Sequence, residues 1–339
     1  MKINNMFEIE FNKGIKDLVL KELNQKLPSK STVFDTENDN NIRIKTNLDF
    51  NFKNIKLINS VYTINTYLGK KPSCILNDAS FVEISELIKR VNKKIKSKSF
   101  KISMPGDRTG IAKKIFFKLS EKTGLIKDQK ESNLKIIIRK SIYKNDAWDV
   151  LIRLTAFPLS KRNWRSVNYV GSVSGPLAAA ALNMVPNKHS KDSILNLMCG
   201  SASFLCEANG YKTKVGIDNN QDAINAAIKN TSNIKKGVFK FLNLDIKEFN
   251  TKDLFDVIIA DPPWGEKISN KKNLATLYNN LFLVSNNFLK QGAYFIVLTQ
   301  EKNLMITINQ ELEGFKLLEK RKVYQGGYHP FIYLYKKGN

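Results

Sequence analysis

The sequence predicts an α/β fold in its carboxyl half, with a mainly parallel, doubly wound sheet, and a smaller α+β module before it. Three observations predict this class. Strand and helix patterns alternate regularly after residue 192, which is typical of βαβ units in parallel sheets. Before residue 157 the patterns follow no such alternation. Two strand patterns separated by GGYHP close the chain and predict an antiparallel hairpin.

The carboxyl half has five strand patterns before this hairpin, at 193–197, 213–218, 239–245, 255–261 and 293–299. Helical patterns lie among them at 221–230, 274–290 and 301–312, and another begins at Pro176, where proline suits the first helical turn. In doubly wound sheets, ligands bind beyond the carboxyl ends of the strands. The residues that directly follow the strands are therefore the candidate binding residues.

The amino-terminal part has six strand patterns, at 6–11, 42–46, 61–67, 100–106, 134–140 and 147–155. Helical spacing occurs near 15–23, at 84–97 and in the basic stretch 111–123. This mixture predicts a small α+β module. The segment 157–175 carries the basic, aromatic run FPLSKRNWR and the small-residue run YVGSVSG, which indicate a linker.

The charge of the chain favours a polyanionic partner. The 339 residues carry a formal net charge of +24. Residues 1–165 hold 34 Lys and Arg against 17 Asp and Glu, a net of +17, and the remainder holds 21 against 14, a net of +7. The first half is therefore the better candidate for binding nucleic acid. The alternative is that the lysines only keep the protein soluble and reflect genome composition.

Other composition features argue against several classes of protein. The chain has three cysteines with no CxxC pair and only two histidines, which argues against a structural zinc site or a disulfide framework. No apolar run reaches the roughly 18–20 residues of a membrane span, and the amino terminus lacks a signal-peptide core. We therefore expect a cytoplasmic protein without a metal, with a monomer favoured.

The first motif is NLMCGSAS at 196–203, directly after a strand. Gly200 lies in a turn of small residues, where a backbone without side-chain bulk lets a ligand approach closely. The GxGxxG pattern of dinucleotide-binding proteins is absent, which disfavours a nicotinamide enzyme. The alternative is an ordinary turn between a strand and a helix. Cys199 in this turn has no paired base and is interpreted as a packing residue.

Two acidic residues follow the next strands. Asp218 ends the strand TKVGID, 18 residues after Gly200, where a carboxylate can accept hydrogen bonds from ribose hydroxyls. The alternative, compatible with the first, is that Asp218 or Asn219 caps the following helix. Asp245 ends the strand FLNLD, where it would accept from an adenine amino group, or be a solvated strand end.

The most specific motif is DPPWG, Asp261 to Gly265, after the apolar strand FDVIIA. Pro262 and Pro263 stiffen the loop and leave their carbonyls as acceptors. Asp261 adds a side-chain acceptor, and Trp264 offers a face on which a base can stack. Such acceptors suit an exocyclic amine whose lone pair must be directed at an electrophile, and Asp261 would take the released proton. The alternative is a plain proline-rich turn.

The linker holds a fifth candidate group, Lys161, Arg162, Trp164 and Arg165. Arginine interleaved with an aromatic residue suits phosphate contact and stacking on RNA. The alternative is a surface loop whose tryptophan packs between domains. His329, in YHPF between the last two strand patterns, is assigned no catalytic role.

Taken in order, KRNWR (161–165), PLAAAAL (176–182), NLMCGSAS, VGID (215–218) and DPPWG resemble the motifs of THUMP-domain RNA methyltransferases, which make N2-methylguanosine in tRNA or act on large-subunit rRNA. The resemblance covers nearly the whole chain. It implies a ferredoxin-like subdomain at 1–68, a THUMP RNA-binding domain at 69–156, a linker at 157–175 and a Rossmann-like class I methyltransferase domain at 176–339. The segment 99–119 matches the THUMP pattern loosely.

The resemblance also implies a cofactor, S-adenosyl-L-methionine, and assigns residues to it. The implied cofactor contacts are Asn196, Cys199, Gly200, Ser201, Ala202, Asp218, Asn219, Asp245 and Asp261. Residues Asp261 to Trp264 would hold the target amine, and the THUMP domain would grip the acceptor end of tRNA.

The sequence departs from the family pattern at five positions. Asn196 replaces the leading acid of the cofactor turn, Ala202 and Ser203 replace its second glycine and its threonine, Trp264 replaces Tyr or Phe, and Asn163 replaces a glycine. The resulting prediction is methylation of guanine N2 in tRNA by direct in-line displacement. The alternatives are rRNA guanine N2, adenine N6 in nucleic acid, and an RNA-binding protein with an inactive pocket.

Overall fold

The computed structural model describes residues 6–34, 37–47, 49–186, 192–264, 271–311 and 313–338. Contacts within the chain divide it into two compact units. The first comprises the residues up to 11 and 21–160, and the second comprises 12–20 and 161–339.

The first unit is built on one eight-stranded sheet of order β2-β3-β1-β4-β8-β7-β5-β6. Its strands are β1 (Met6–Phe11), β2 (Thr32–Phe34), β3 (Asn41–Lys45), β4 (Ile58–Leu68), β5 (Ser99–Ser103), β6 (Ile126–Lys127), β7 (Leu134–Lys140) and β8 (Ala147–Arg153). The helices of the amino-terminal half are α1 (Lys16–Lys26), α2 (Asp78–Ile95) and α3 (Gly110–Thr123), and single turns of 3-10 helix span Phe52–Asn54 and Pro72–Leu76. The predicted α+β class of this part is confirmed, and the predicted subdivision at residue 68 stays a prediction.

Helices α2 and α3 show how the sequence fixes the first unit. The side chain of Asn77 caps α2 by accepting from the Ser80 N–H, and Thr109 caps α3 by accepting from the Ala112 N–H. Each helix buries one apolar stripe against the sheet, and α3 ends at Gly124, which has a φ of +72°.

A buried network of charges crosses this sheet. Arg139 donates to both carboxylate oxygens of Glu8 at 2.6 and 2.7 Å, and Arg43 donates to Asp149 at 2.7 Å. Glu8 and Asp149 are only 1% and 0% exposed, so the arginines neutralise carboxylates that burial would otherwise destabilise. The network connects β1 with β7 and β3 with β8, strands that do not pair directly in the sheet.

The second unit contains a seven-stranded sheet of order β11-β10-β9-β12-β13-β15-β14. Its strands are β9 (Ser193–Leu197), β10 (Thr213–Asp218), β11 (Val238–Asn243), β12 (Phe255–Ala260), β13 (Leu289–Thr299), β14 (Phe315–Lys322) and β15 (Phe331–Lys337). Its helices are α4 (Gly175–Asn183), α5 (Ser203–Glu207), α6 (Gln221–Thr231), α7 (Lys271–Phe288) and α8 (Lys302–Glu311), and a 3-10 turn spans Ile246–Glu248.

Five strands of this sheet run parallel, and β15 and β14 are antiparallel to their neighbours. The predicted doubly wound sheet with a carboxyl-terminal hairpin is thus confirmed. The strand order reverses between β9 and β12, and such a switch point leaves a crevice at the carboxyl edge of the sheet. An aromatic cluster under α7, in which Phe282 meets Phe295 and Tyr335 edge to face at 5.1 and 5.3 Å, holds this sheet in place.

Among the residues that the structure describes, we find no helix with the length and apolar character needed to cross a membrane.

Candidate active site

A cavity of about 640 Å³ opens at the carboxyl edge of the second sheet. It brings together most of the residues predicted from the sequence, although these come from four different strand ends. The predicted residues that line it are Cys199, Gly200, Ser201, Asp218, Asn219, Asp245, Asp261, Pro262, Pro263 and Trp264. Gly265 lies outside the described residues.

Two predicted cofactor residues do not line this cavity. Asn196 is fully buried within β9, where its amide donates to the Ile259 carbonyl at 3.2 Å, and Ala202 is fully buried at the start of α5. Both side chains stabilise the strand and the turn behind the cavity wall. The prediction that they contact the cofactor is therefore corrected, because burial beneath the turn keeps them from a ligand in the cavity.

The turn after β9 has an unusual backbone. Met198, Gly200 and Ala202 have φ values of +53°, +52° and +64°, so three residues of five are left-handed. The Cys199 N–H donates to the Ile217 carbonyl at 2.8 Å, and the Gly200 N–H donates to Asp218 Oδ2 at 2.8 Å. These bonds fix the turn to the end of β10, and the turn forms one wall of the cavity.

We expect Gly200→Ala to lower the free energy of unfolding by about 1–2 kcal/mol, because an L side chain is disfavoured at positive φ. An added Cβ would meet no atom within 4 Å, so the cost comes from the backbone alone. Gly110→Ala is a matched control, since its Cβ also meets nothing within 4 Å but its backbone is helical. We expect Gly110→Ala to raise the free energy of unfolding by zero to about 1 kcal/mol. Urea denaturation measures the free energy of unfolding of both variants. An equal change in Gly200→Ala and Gly110→Ala would contradict a cost that comes from the left-handed backbone.

Cys199 and the acidic residues have distinct environments. Burial raises the pKa of the Cys199 thiol well above its usual value, which keeps it neutral and supports its interpretation as a packing residue. Asp218 Oδ1 accepts from the Asn220 N–H at 3.0 Å, and Asp218 is half-buried. Asn220, and neither Asp218 nor Asn219, caps α6 by accepting from the Asp222 N–H. The capping alternative for Asp218 is therefore wrong, and its carboxylate remains an acceptor at the cavity wall.

Asp245 also has a local partner and a cavity-facing position. Its Oδ1 accepts from the Lys247 N–H at 2.9 Å and so begins the 3-10 turn that follows β11. This bond fixes the rotamer, and the second carboxylate oxygen remains as an acceptor. Asp245 and Asp218 thus lie at neighbouring strand ends, since β11 pairs with β10.

The loop after β12 forms another wall of the cavity. Pro262 is buried, whereas Asp261, Pro263 and Trp264 are half-buried. The ring of Trp264 meets that of Tyr328 at 5.7 Å with an interplanar angle of 69°. The loop therefore presents a carboxylate and an aromatic face beside the strand end that carries Gly200, because β12 pairs with β9.

The electrostatics of the cavity test whether the predicted cofactor fits. Three carboxylates, Asp218, Asp245 and Asp261, line it, and its described lining residues include no Lys or Arg. Among these described lining residues a pyrophosphate would find no cation, whereas a ligand with a sulfonium, an ammonium and ribose hydroxyls would find acceptors. The residues fit S-adenosylmethionine, and Gly200 leaves open space for its close approach.

The segment 161–174 has a role that the sequence did not reveal. Arg162 Nε and Trp164 Nε1 both donate to Glu207 Oε1, at 2.7 and 2.9 Å, and Arg162 is buried. Gly175 makes room for this pair, because a Cβ there would lie 2.6 Å from the Arg162 side chain. Arg162 is thus held inside the unit, whereas Trp164 is half-buried and its contact with RNA stays a prediction. The prediction that Arg162 contacts RNA is corrected for this reason, and RNA contact by Lys161 and Arg165 stays a prediction.

This segment, which we name the strap (residues 161–174), continues over the cavity. Ser172 Oγ lies 2.7 Å from Ser201 Oγ, and Asn230 joins the strap to the cofactor turn by accepting from the Val167 N–H and donating to the Ser201 carbonyl. Residues 169–173 line the cavity, as does Tyr328 of the last hairpin. The sequence indicated only a flexible linker at 169–173. Tyr328 is not recognisable as a site residue from the sequence, because strand pairing and not a local pattern places it at the cavity.

In the described part of the chain, no group of three or more His, Cys, Asp or Glu side chains is arranged to hold a metal ion. His329 packs its ring 5.2 Å from that of Tyr324, outside the cavity lining.

The acidic cavity at the switch point of the doubly wound sheet holds the acceptors that S-adenosylmethionine needs, and the comparisons that follow identify the class as an S-adenosylmethionine-dependent methyltransferase. Residues 162–330 match the model of the UPF0020 family, described as an RMKL-like methyltransferase domain. The recognised methyltransferase character of the sequence is confirmed by this match.

Relatives and solved structures agree with this class. The chain is 29% identical over 157 residues to a "Probable tRNA (guanine(10)-N2)-dimethyltransferase" of Methanothermococcus thermolithotrophicus, a match that covers 43% of this chain and 89% of that protein. It spans half or less of the length of other curated relatives that it matches. TrmN from Thermus thermophilus has a TM-score of 0.75 at 19% identity, covering 98% of this chain and 99% of that one. SMU.472, solved with SAH, has a TM-score of 0.70 at 17% identity, covering 100% and 99%. These two structures confirm the fold.

Proposed function

We propose that this enzyme methylates an exocyclic amine of a base in structured RNA, with guanine N2 of tRNA as the target. The observation that carries the proposal is the position of the 261–264 loop, whose carboxylate and aromatic ring share one cavity with the cofactor residues Gly200, Asp218 and Asp245. The name of the archaeal relative, a tRNA guanine-N2 enzyme, supports this choice of amine.

S-adenosylmethionine supplies an electrophilic methyl group, so the protein contributes orientation and proton acceptance. The amine of guanine is a poor nucleophile because its lone pair is delocalised into the ring. Asp261 accepts one N–H and the Pro262 carbonyl accepts the other, which directs the lone pair at the methyl group. Asp261 then takes the proton that the amine releases. Trp264 stacks on the base, which must leave its helix to reach the cavity.

We propose that residues 1–165 supply most of the affinity for RNA and that residues 69–156 form a THUMP domain. Residues 1–165 carry a net charge of +17, and neutralising phosphates with lysine and arginine drives binding through counterion release. Double-stranded RNA is recognised mostly by shape and by backbone contacts, which suits such a surface.

The proposal is tested by incubating the full chain with labelled S-adenosylmethionine and unmodified tRNA transcripts, followed by nucleoside analysis. We expect N2-methylguanosine in tRNA. A large-subunit rRNA transcript is the parallel substrate, and methylation of that RNA alone would overturn the choice of tRNA. N6-methyladenosine as the sole product would overturn the choice of guanine. Cofactor binding without any methylated product on these RNAs would favour the inactive RNA-binding alternative.

A further inference from the structure

The hairpin that joins β14 and β15 ends at the same edge of the sheet as the cavity. β15 runs antiparallel to β13 and pairs Phe331 with Thr299, so the start of β15 lies at the carboxyl end of β13. The tip of this hairpin, residues 325–328, therefore lies beside the strand ends that carry the cofactor residues. Of these four tip residues, Tyr328 lines the cavity.

The tip has a rigid backbone. The N–H and carbonyl groups of Gln325 and Tyr328 form two hydrogen bonds of 3.0 Å each. Gly326 and Gly327 between them have φ values of +59° and +95°. Two left-handed residues in a two-residue loop make a type I′ turn, whose twist matches that of the strands. Tyr328 is thus held at a defined position by a turn whose two left-handed residues are glycines.

The order of strands separates Tyr328 from the cofactor residues. Asp245, Asp218 and the 198–202 turn follow β11, β10 and β9, and Asp261 follows β12. The tip lies further along this edge, beyond β13, on the side of Asp261 that is opposite to Asp218. The rings of Trp264 and Tyr328, 5.7 Å apart and at 69° to each other, therefore form a corner next to the amine-binding loop.

The tip is also connected to the strap. Gln325 Oε1 accepts from the Ser174 N–H at 2.9 Å, and Ser174 directly follows the part of the strap that lines the cavity. This hydrogen bond joins two segments that are 151 residues apart in sequence and that otherwise belong to different walls of the site. It restrains the tip in addition to the ring contact between Tyr328 and Trp264.

We propose that Tyr328 is a second base-contact residue, which forms a corner with Trp264 around the flipped target base, and that Gln325 is its positioning residue. The inference rests on the proposed function, because a base must enter the cavity for Tyr328 to touch it. An aromatic contact with a base contributes roughly 1–3 kcal/mol by alanine substitution. It therefore changes affinity by about 5- to 150-fold.

The first test compares Tyr328→Ala with Tyr324→Ala. Tyr324 is an exposed tyrosine of the same hairpin, 38% exposed against 42% for Tyr328, but it does not line the cavity. We expect Tyr328→Ala to lower kcat/KM for RNA by about 5- to 150-fold with an unchanged Kd for S-adenosylhomocysteine. Tyr328→Phe is expected to restore activity, because it keeps the ring, and Tyr324→Ala is expected to match the unsubstituted enzyme.

The second test addresses Gln325. Gln325→Leu removes the acceptor for the Ser174 N–H, and Gln325→Glu keeps one. One hydrogen bond contributes roughly 0.5–1.5 kcal/mol, so we expect the leucine variant to raise KM for RNA by about 2- to 10-fold and the glutamate variant to restore it. If kcat and KM for RNA stay unchanged in Gln325→Leu, the positioning role of Gln325 is overturned.

The outcomes separate this inference from the proposed function. If the unsubstituted enzyme methylates no RNA base amine, the proposed function fails and the inference fails with it. If it methylates RNA and Tyr328→Ala keeps full kcat/KM, only the inference about Tyr328 fails. A parallel loss of S-adenosylhomocysteine binding in Tyr328→Ala would also overturn it, because the tip would then serve the cofactor.

Discussion

Replacing Asp261 by alanine is expected to lower kcat roughly 10²- to 10⁴-fold, the usual contribution of a positioned general base. The reason lies in the site, where Asp261 is the carboxylate that follows β12 and lines the cavity beside the cofactor turn. Without it, the target amine loses both an acceptor that directs its lone pair and a group that takes its proton. Affinity for RNA is expected to be nearly unchanged, because the proposed function assigns the phosphate contacts to the basic half.

Three measurements check this expectation: turnover with saturating cofactor, RNA affinity by filter binding, and S-adenosylhomocysteine affinity by calorimetry. Asp253→Ala is the matched control, since it removes an exposed carboxylate just before β12 and should leave all three unchanged. Asp261→Asn keeps an acceptor oxygen but not the base. If Asp261→Asn is much more active than Asp261→Ala, orientation of the target amine matters more than acceptance of its proton. Equal losses of turnover and of RNA affinity in Asp261→Ala would mean that the loop is only structural.

The sequence allowed most of the candidate site to be predicted, for a reason of topology. In a parallel sheet every strand ends at the same edge, so residues that follow apolar strands meet there whatever the strand order. Asp218, Asp245 and Asp261 were placed correctly at the cavity on that basis. The strand patterns themselves were recognisable because each is a short, nearly continuous apolar run between helices.

Contacts between distant segments were not predictable in this way. Nothing in the local pattern connects Arg162 with Glu207, 45 residues later, so Arg162 was interpreted as an RNA contact although it packs inside the unit. Tyr328 reaches the cavity only because β15 pairs with β13 in the antiparallel direction. The edge strands β2 and β6 were missed as well, since three and two residues are too few to show a periodicity.

Replacing Glu207 by leucine is expected to lower the free energy of unfolding by about 3–5 kcal/mol, because it leaves the buried guanidinium of Arg162 without its counter-ion. The side chains of Arg162 and Glu207 are only 8% and 3% exposed, and Glu207 Oε1 also accepts from Trp164. Glu248→Leu is the control, an exposed acid whose loss should change stability by no more than about 0.5 kcal/mol.

The double variant Arg162→Met, Glu207→Leu distinguishes a specific ion pair from general disruption. A buried pair replaced by apolar side chains of similar size is often neutral, so we expect the double variant to recover most of the stability that Glu207→Leu loses. Urea unfolding of the full chain measures the free energies of unfolding of the single and double variants. Calorimetry measures their affinity for S-adenosylhomocysteine. Because the strap lines the cavity through residues 169–173, Glu207→Leu should also weaken cofactor binding although Glu207 does not line the cavity. A stable Glu207→Leu variant with unchanged cofactor affinity would show that the strap is held without this pair.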